Sequence, residues 1–192
     1  MERVQILLVS GSLRGASTNS ALLRTAAAVA PEGVTTTLYE DLAGLPHFNP
    51  DDDAEGIEVP APVAALRARL GEADAVLFCT PEYAGALPGS FKNLLEWTVG
   101  GHEIYRLPAA WVNAAAPGRG ENADESLRKV LGYVGADIAE PAVVRIPVPH
   151  QAVDADGMVA DQELRQWVAQ ALAALADHVR SRRSDPDWVG AV

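Results

Sequence analysis

The sequence has little of several features, and each scarcity excludes a class of protein. It contains one cysteine among 192 residues, so no disulfide can form within the chain. The two glycine-rich phosphate signatures G-x-x-x-x-G-K-[ST] and G-x-G-x-x-G are both absent, which argues against nucleoside triphosphate hydrolysis and against a Rossmann dinucleotide site. Four histidines lie at positions without metal-ligand spacing: His47, His102, His150 and His178. We therefore expect no bound metal and no catalytic triad.

Positive charge and long apolar runs are also scarce. The chain has 15 Lys and Arg residues against 26 Asp and Glu residues, which gives a formal net charge of -11. Nucleic acids and anionic membranes attract basic patches, so we expect neither as a partner. No run approaches the roughly 20 apolar residues that span a bilayer, and the apolar run at residues 4–9 is too short for a signal-peptide core. We expect a cytoplasmic protein whose partners are small molecules and further copies of itself.

The chain alternates strand-like and helical segments over the length of one domain. Runs rich in β-branched and other apolar residues recur between stretches with helical spacing, at residues 4–9, 34–39, 75–80, 109–115 and 142–148. This alternation predicts an α/β fold, a doubly wound five-stranded parallel sheet with helices on both faces. In the order 2-1-3-4-5, ligands bind where the strand order reverses, between the first and third strands. We assign residues 1–180 to this domain and residues 181–192 to a tail.

The loop after the first predicted strand offers groups that bind anions. Residues 10–19 lead from an apolar run directly into an Ala-rich helical pattern. Free backbone N–H groups at a helix start attract anions, and Gly11 and Gly15 permit tight turns. Side-chain donors follow in the same loop, namely Ser12, Arg14, Ser17, Thr18 and Asn19. A phosphate monoester is the expected ligand, although Ser17 could serve only as a helix cap.

The loop after the third predicted strand is stiff and irregular. Residues 81–89 contain two prolines and two glycines. Gly85 and Gly89 allow the backbone to approach a flat ligand, and Tyr83 offers an aromatic face. Alternatively, Pro88 only begins the next helix and Tyr83 is a surface aromatic residue.

Together the two loops resemble the NADPH-dependent FMN reductase family of flavodoxin-like proteins, which includes quinone, chromate and azo-dye reductases. The resemblance depends on Gly11, Ser12, Leu13, Arg14, Ser17 and Asn19, and on Pro81, Glu82, Tyr83, Pro88, Gly89, Lys92, Asn93 and Trp97. It implies that Ser12, Arg14, Ser17, Thr18 and Asn19 bind the FMN phosphate. It implies that the isoalloxazine ring contacts Pro81, Glu82, Tyr83, Ala84 and Gly85. A third contact loop is expected after the fourth strand, at residues 115–118, with Ala115 first and Ala116, Pro117 and Gly118 as its cofactor contacts.

The sequence departs from the family pattern at three places. Many relatives carry Asn at the position of Ala84, and many carry a pair of glycines where Arg119 and Gly120 follow Gly118. Ser90 replaces a small apolar residue. The first two departures concern loops that are expected to contact the flavin ring.

The resemblance implies an FMN-dependent NAD(P)H oxidoreductase. Hydride would pass from NADPH or NADH through FMN to a quinone-like or other small acceptor by a ping-pong mechanism, and no side chain would need to act as acid, base or nucleophile. The family also implies a homodimer or a tetramer. A flavodoxin-type electron carrier and a flavin reductase that supplies reduced FMN to a monooxygenase stay open as alternatives.

Four smaller expectations follow from local patterns. Asn122 and Glu125 have the spacing of a capping box at the start of the fourth helix. Cys79 lies in an apolar run, which favours a buried and unreactive thiol. The acidic residues 51–53 form either a solvated loop or, by resemblance, part of a subunit interface, where Arg106 could meet a carboxylate. His178 is expected at the surface or as a favourable charge at a helix end.

Overall fold

The polypeptide alternates between strands and helices, as its apolar pattern predicts. In residues 2–185, the part of the chain that the computed structural model describes, there are six strands: β1 (Val4–Ser10), β2 (Val34–Tyr39), β3 (Ala75–Cys79), β4 (Pro108–Asn113), β5 (Asp137–Ile138) and β6 (Val144–Arg145). The same residues contain five α-helices: α1 (Thr18–Ala28), α2 (Ala61–Gly71), α3 (Gly89–Glu96), α4 (Glu121–Tyr133) and α5 (Gln162–Arg183). None of these helices combines the length and apolar character that crossing a bilayer demands.

The strands form one parallel sheet in the order β2-β1-β3-β4-β5, which confirms the predicted order. β1 pairs along its length with β2, from Val4 opposite Val34 to Val9 opposite Tyr39. Its other edge pairs with β3. The chain therefore winds outward from β1 to β2 and then returns past β1 to build the rest of the sheet. This reversal places a crevice between the loops that follow β1 and β3.

The fifth position of the sheet differs from the prediction of one strand at residues 142–148. Two short strands, β5 and β6, pair with successive parts of β4. A 3₁₀ turn at Glu140–Ala142 separates them. Pro141 lies in this turn and has no N–H to donate, so the turn interrupts the ladder that a continuous strand would have formed.

Two apolar cores lie on opposite faces of the sheet because successive residues of a buried strand point to opposite sides. Ile6 and Leu8 of β1 pack with α1 and α5 in one core. Leu7 and Val9 pack with α2, α3 and α4 in the other. Cys79 is a free thiol buried in the first core. This confirms the expectation that the cysteine is buried. Burial raises the pKa of this thiol, so its low reactivity stays a prediction that burial supports.

The last helix is longer and better anchored than its sequence suggested. α5 continues to Arg183, three residues past the expected end of the domain, and residues 186–192 of the predicted tail lie outside the described residues. His178 is partly buried, and its Nε2 lies 2.8 Å from Oδ2 of Asp137, so it is not the freely exposed surface residue that one expectation described. The other expectation, a favourable charge near the helix end, stays a prediction. Partial burial acts to raise the pKa of Asp137, but hydrogen bonds from Arg182 and His178 outweigh it and hold this pKa below the ordinary value.

Candidate functional site

Three loops meet at the carboxyl ends of β1, β3 and β4 and enclose a crevice of about 490 Å³. This volume falls in the range of small-molecule sites. The residues that line it are Thr18, Asn19, Thr80, Pro81, Glu82, Ala114, Ala115, Gly118, Arg119 and Gly120. Two lining residues, Thr80 and Ala114, were not singled out from the sequence. Each directly follows the last residue of a strand, so the sheet topology is the signal that could have found them.

The predicted phosphate residues are divided between two neighbouring cavities. Thr18 and Asn19 line the crevice. Ser12 and Arg14 line a second groove on the β2 side of the same loop. Ser17 lies between them and is 5% exposed, with its hydroxyl oxygen accepting a hydrogen bond from the backbone N–H of Asn19 at 3.2 Å. Ser17 is therefore the N-cap of α1, as one of the two sequence interpretations proposed.

The first loop has the chemistry of an anion site. The first turn of α1 carries no acidic side chain, so no carboxylate of the helix itself competes with an anion for the positive end of the helix dipole. Asn19 is 8% exposed, and its Oδ1 accepts a hydrogen bond from the thiol of Cys79 at 3.2 Å. Arg14 is exposed at the tip of the loop. Hydroxyl, amide and guanidinium donors around a helix N-terminus are the groups that a phosphate monoester requires.

Gly11 brings the first loop against the end of β3. Its N–H donates to the carbonyl of Cys79 at 2.9 Å. A Cβ at this position would lie 2.2 Å from Oγ1 of Thr80. Gly11 is therefore required for a close approach between two loops, not for the turn that the sequence suggested. Gly15, by contrast, has no atom within 4 Å of the position of a Cβ.

The second loop begins with a tight turn. The backbone groups of Tyr83 and Ala86 exchange two hydrogen bonds, of 3.0 and 3.1 Å. The two residues between them, Ala84 and Gly85, have φ values of 51° and 73°. This left-handed region suits Gly and Asn better than Ala, so the family departure at Ala84 places an unfavourable residue in this turn. Tyr83 is 52% exposed.

Glu82 reaches from the second loop to the start of α4. Its Oε2 accepts hydrogen bonds from the backbone N–H groups of Asn122 and Ala123 at 3.0 and 3.2 Å, and its Oε1 accepts one from Nδ2 of Asn122 at 3.1 Å. The hydrogen bond from the Asn122 side chain is the main reason that the pKa of Glu82 lies below its ordinary value. α4 begins at Glu121, and Gly120 at the cap position supplies no side chain. The expected capping box of Asn122 and Glu125 was therefore wrong.

The third loop is held by two side chains, one from β4 and one from β6. Asn113 accepts a hydrogen bond from the N–H of Ala115 at 2.9 Å and donates to the carbonyl of Gly120 at 3.0 Å. Arg145 donates through Nη1 to the carbonyl of Arg119 at 2.6 Å. Two glycines with left-handed φ lie in this loop in place of an adjacent pair, namely Gly118 and Gly120. Of the predicted third-loop contacts, Gly118 lines the crevice, and Ala116 and Pro117 are exposed beside it.

The later residues of the second motif stabilise a neighbouring segment. Asn93 donates through Nδ2 to the carbonyl of Pro46 at 2.8 Å and accepts from the N–H of Phe48 at 2.7 Å. Nε1 of Trp97 donates to the same Pro46 carbonyl at 2.8 Å. This segment continues into the acidic residues, where Asp53 pairs with Arg67 at 2.8 Å. Asp51 and Asp52 are exposed in the single chain, which agrees with both a solvated loop and a subunit interface, so both interpretations stay open.

Comparisons with known proteins agree with this geometry. The profile of a family described as NADPH-dependent FMN reductase matches residues 4–151, which include all three loops. An NAD(P)H-dependent FMN reductase of Pseudomonas aeruginosa is 35% identical over 183 residues, covering 94% of this chain and 97% of the relative. A 2-hydroxy-1,4-benzoquinone reductase of a Burkholderia species is 29% identical over 184 residues, covering 94% and 98%.

A solved structure of a flavoenzyme has a similar fold. The flavoenzyme NAD(P)H:(acceptor) oxidoreductase of Paracoccus denitrificans matches with a TM-score of 0.74 at 28% identity, covering 93% of this chain and 98% of that chain. The flavodoxin-like α/β fold predicted from the sequence is thereby confirmed. Because the family profile spans most of the chain and a relative above 30% identity is covered almost completely, this chain belongs to the NADPH-dependent FMN reductase family.

Proposed function

We propose that the FMN of this NAD(P)H-dependent oxidoreductase binds across the crevice between the loops that follow β1, β3 and β4. The observation that carries the proposal is the convergence of three features at one point of the sheet. These are the unopposed N-terminus of α1, the backbone of the second loop, and the glycine-bearing third loop, all at the reversal of strand order. Such a crevice is where doubly wound folds bind their ligands.

The first loop would hold the phosphate. Thr18 and Asn19 contribute from inside the crevice, and Ser17 keeps a hydroxyl proton to donate while its oxygen caps the helix. Ser12 and Arg14 approach the same loop from the β2 side. A planar guanidinium can form two hydrogen bonds to phosphate oxygens, so Arg14 supplies the charged contact of this set.

The second and third loops would hold the ring. Pro81 and Glu82 line one wall of the crevice, and Gly118 lines another. The backbone of these residues can meet the polar edge of a flat ligand, with Tyr83, Ala84 and Gly85 exposed at the rim. Bound FMN supplies the hydride and electron chemistry, so the side chains of the chain bind and orient it and exclude water.

NAD(P)H and the acceptor would use the same opening in turn, which gives ping-pong kinetics. A quinone is the proposed class of acceptor, and the Burkholderia relative, a 2-hydroxy-1,4-benzoquinone reductase, supports it. The test is to measure initial rates of NADPH and NADH oxidation at several fixed quinone concentrations. Parallel lines in double-reciprocal plots are expected. Lines that intersect would show that both substrates bind together and would contradict the proposed order.

The assembly is proposed to be a homodimer or a tetramer in the cytoplasm. Several large apolar side chains of the described chain are exposed and could lie in such an interface, among them Val99, Tyr105 and Tyr133, which are 59%, 54% and 90% exposed. Contact between Arg106 and a carboxylate of a second copy stays a prediction. Light scattering coupled to size-exclusion chromatography tests the assembly, and a monomeric mass would contradict it.

A further inference from the structure

Glu82 lines the crevice, yet both of its carboxylate oxygens are engaged by α4. We infer that Glu82 is a positioning residue, which fixes the spacing between the second and third loops and thereby shapes the crevice for the flavin. The inference rests on the proposed site and changes one part of it. Glu82 would act through Asn122 and Ala123, in place of contacting the isoalloxazine ring as the family resemblance implies.

The need for this carboxylate arises in α4. The helix has no side-chain cap of its own, because Gly120 occupies the cap position with φ of 79°. The first N–H groups of a helix have no partner within it. Glu82 satisfies two of them, at Asn122 and Ala123, although it lies 40 and 41 residues earlier in the chain. A carboxylate forms stronger bonds there than a neutral acceptor, since its charge also complements the positive end of the helix.

The same contacts join two walls of the site. Pro81 and Glu82 line the crevice from the second loop, and Gly118, Arg119 and Gly120 line it immediately before α4. Asn113 and Arg145 bond the carbonyls of Gly120 and Arg119, and both also contact Asp124 in the first turn of α4. These contacts tie the start of α4 to β4 and β6, and Glu82 ties it to the second loop. Loss of the Glu82 contacts would let the second loop move relative to the start of α4.

The experiment compares E82A, E82Q and N122A, with E125Q as the control that removes a carboxylate from the exposed face of the same helix. Two quantities are measured: amide hydrogen exchange of residues 118–123 in flavin-free protein, and the dissociation constant of FMN from quenching of its fluorescence. E82A is expected to speed exchange at residues 122 and 123 and to weaken FMN binding by about tenfold. E82Q should fall between E82A and the wild type because a neutral amide oxygen can still accept from the backbone.

N122A tests the side-chain contact alone, because both backbone contacts of Glu82 remain in it. Asn122 does not line the crevice, and its amide donates to Glu82. If Glu82 positions the loops, N122A weakens FMN binding by a few-fold and the E82A/N122A double variant binds FMN no more weakly than E82A. If E82A lowers the FMN affinity without speeding exchange at residues 122 and 123, Glu82 is assigned to the ring and the inference is overturned.

Two further results would also count against it. Faster exchange in E82A with unchanged FMN affinity would show that the contact stabilises α4 without shaping the site. If wild-type protein fails to bind FMN at all, the proposed site is wrong and this inference fails with it. The exchange data, which need no flavin, would then still show whether Glu82 joins the two loops, so the two failures can be distinguished.

Discussion

The two ends of the crevice are built in different ways. At the β1 end, the first loop is ordered by close contacts: Gly11 packs on Thr80, and Ser17 caps the helix that it precedes. At the β4 end, the second and third loops are exposed turns that depend on contacts between distant residues, such as Glu82 with Asn122 and Arg145 with Arg119. We call the first the packed end, because close packing holds it, and the second the polar end, because hydrogen bonds between distant residues hold it.

The largest expected effect on stability and FMN binding comes from Gly11→Ala, which disrupts the packing of the packed end. The new methyl group would overlap Thr80, because their closest atoms would be 2.2 Å apart. Overpacking of this kind costs about 1–3 kcal/mol, and here it would also displace the first loop. We expect a lower free energy of unfolding in urea and weaker FMN binding. The matched control is Gly15→Ala in the same loop, where a Cβ meets no atom within 4 Å and stability should be unchanged or slightly raised. Equal effects of both substitutions would contradict the packing explanation.

This difference also explains which parts of the site the sequence revealed. The first loop could be predicted from its residues, because an apolar strand, a cap and a helix start are consecutive in the chain. The strand order could be predicted because an alternating βα pattern permits few topologies. The cap of α4 could not be predicted, because its acceptor is the carboxylate of Glu82 and no residue near Asn122 in the sequence indicates that contact. The interrupted fifth strand was missed for a different reason: its signal, Pro141, is local and was not used.

The polar end should respond most to Asn113→Ala. Asn113 is 5% exposed, and its amide bonds the backbone of Ala115 and Gly120. Leaving these buried groups without partners costs about 1–3 kcal/mol. The loss should appear in the free energy of unfolding, together with weaker FMN binding. Asn122→Ala is the comparison, because the side chain of Asn122 is exposed and its loss should lower the free energy of unfolding less. If Asn113→Ala is as stable as the wild type, the third loop does not depend on its hydrogen bonds with Asn113.

Arg14→Ala separates affinity from stability. Arg14 is exposed, so its loss should leave the free energy of unfolding within about 0.5 kcal/mol of the wild-type value. If it binds the phosphate, FMN affinity should fall about tenfold, since a charged hydrogen bond contributes about 1.5–3 kcal/mol before solvent screening reduces it. Arg14→Lys should recover part of that loss. Arg119→Ala is the comparison at the other end of the crevice. If Arg119→Ala weakens FMN binding and Arg14→Ala does not, the phosphate lies at the third loop.

A smaller effect is expected at the turn of the second loop. Ala84 has φ of 51°, which disfavours Ala relative to Gly and Asn. Ala84→Gly relieves the backbone alone, and Ala84→Asn relieves it and adds an amide. Both should raise the midpoint of thermal unfolding slightly, by a stability gain of up to about 1 kcal/mol. An additional gain in FMN affinity for Ala84→Asn only would show that the amide contacts the flavin. No gain in stability for either variant would mean that this turn is not strained.

Acid should loosen the polar end before the packed end, and this is the smallest effect. The contacts with α4 lower the pKa of Glu82, so they stabilise the native state above the ordinary glutamate pKa of about 4.3 and are lost as the pH falls through the lowered value. The amide proton resonance of Ala123 should therefore shift in acid in NMR spectra of flavin-free protein. In E82Q this shift should be absent, because no carboxylate remains to accept a proton. The amide of Asn19, which donates to the hydroxyl of Ser17, provides the reference at the packed end. If the Ala123 and Asn19 resonances shift together in the wild type, the two ends respond as one unit and the distinction between them does not hold.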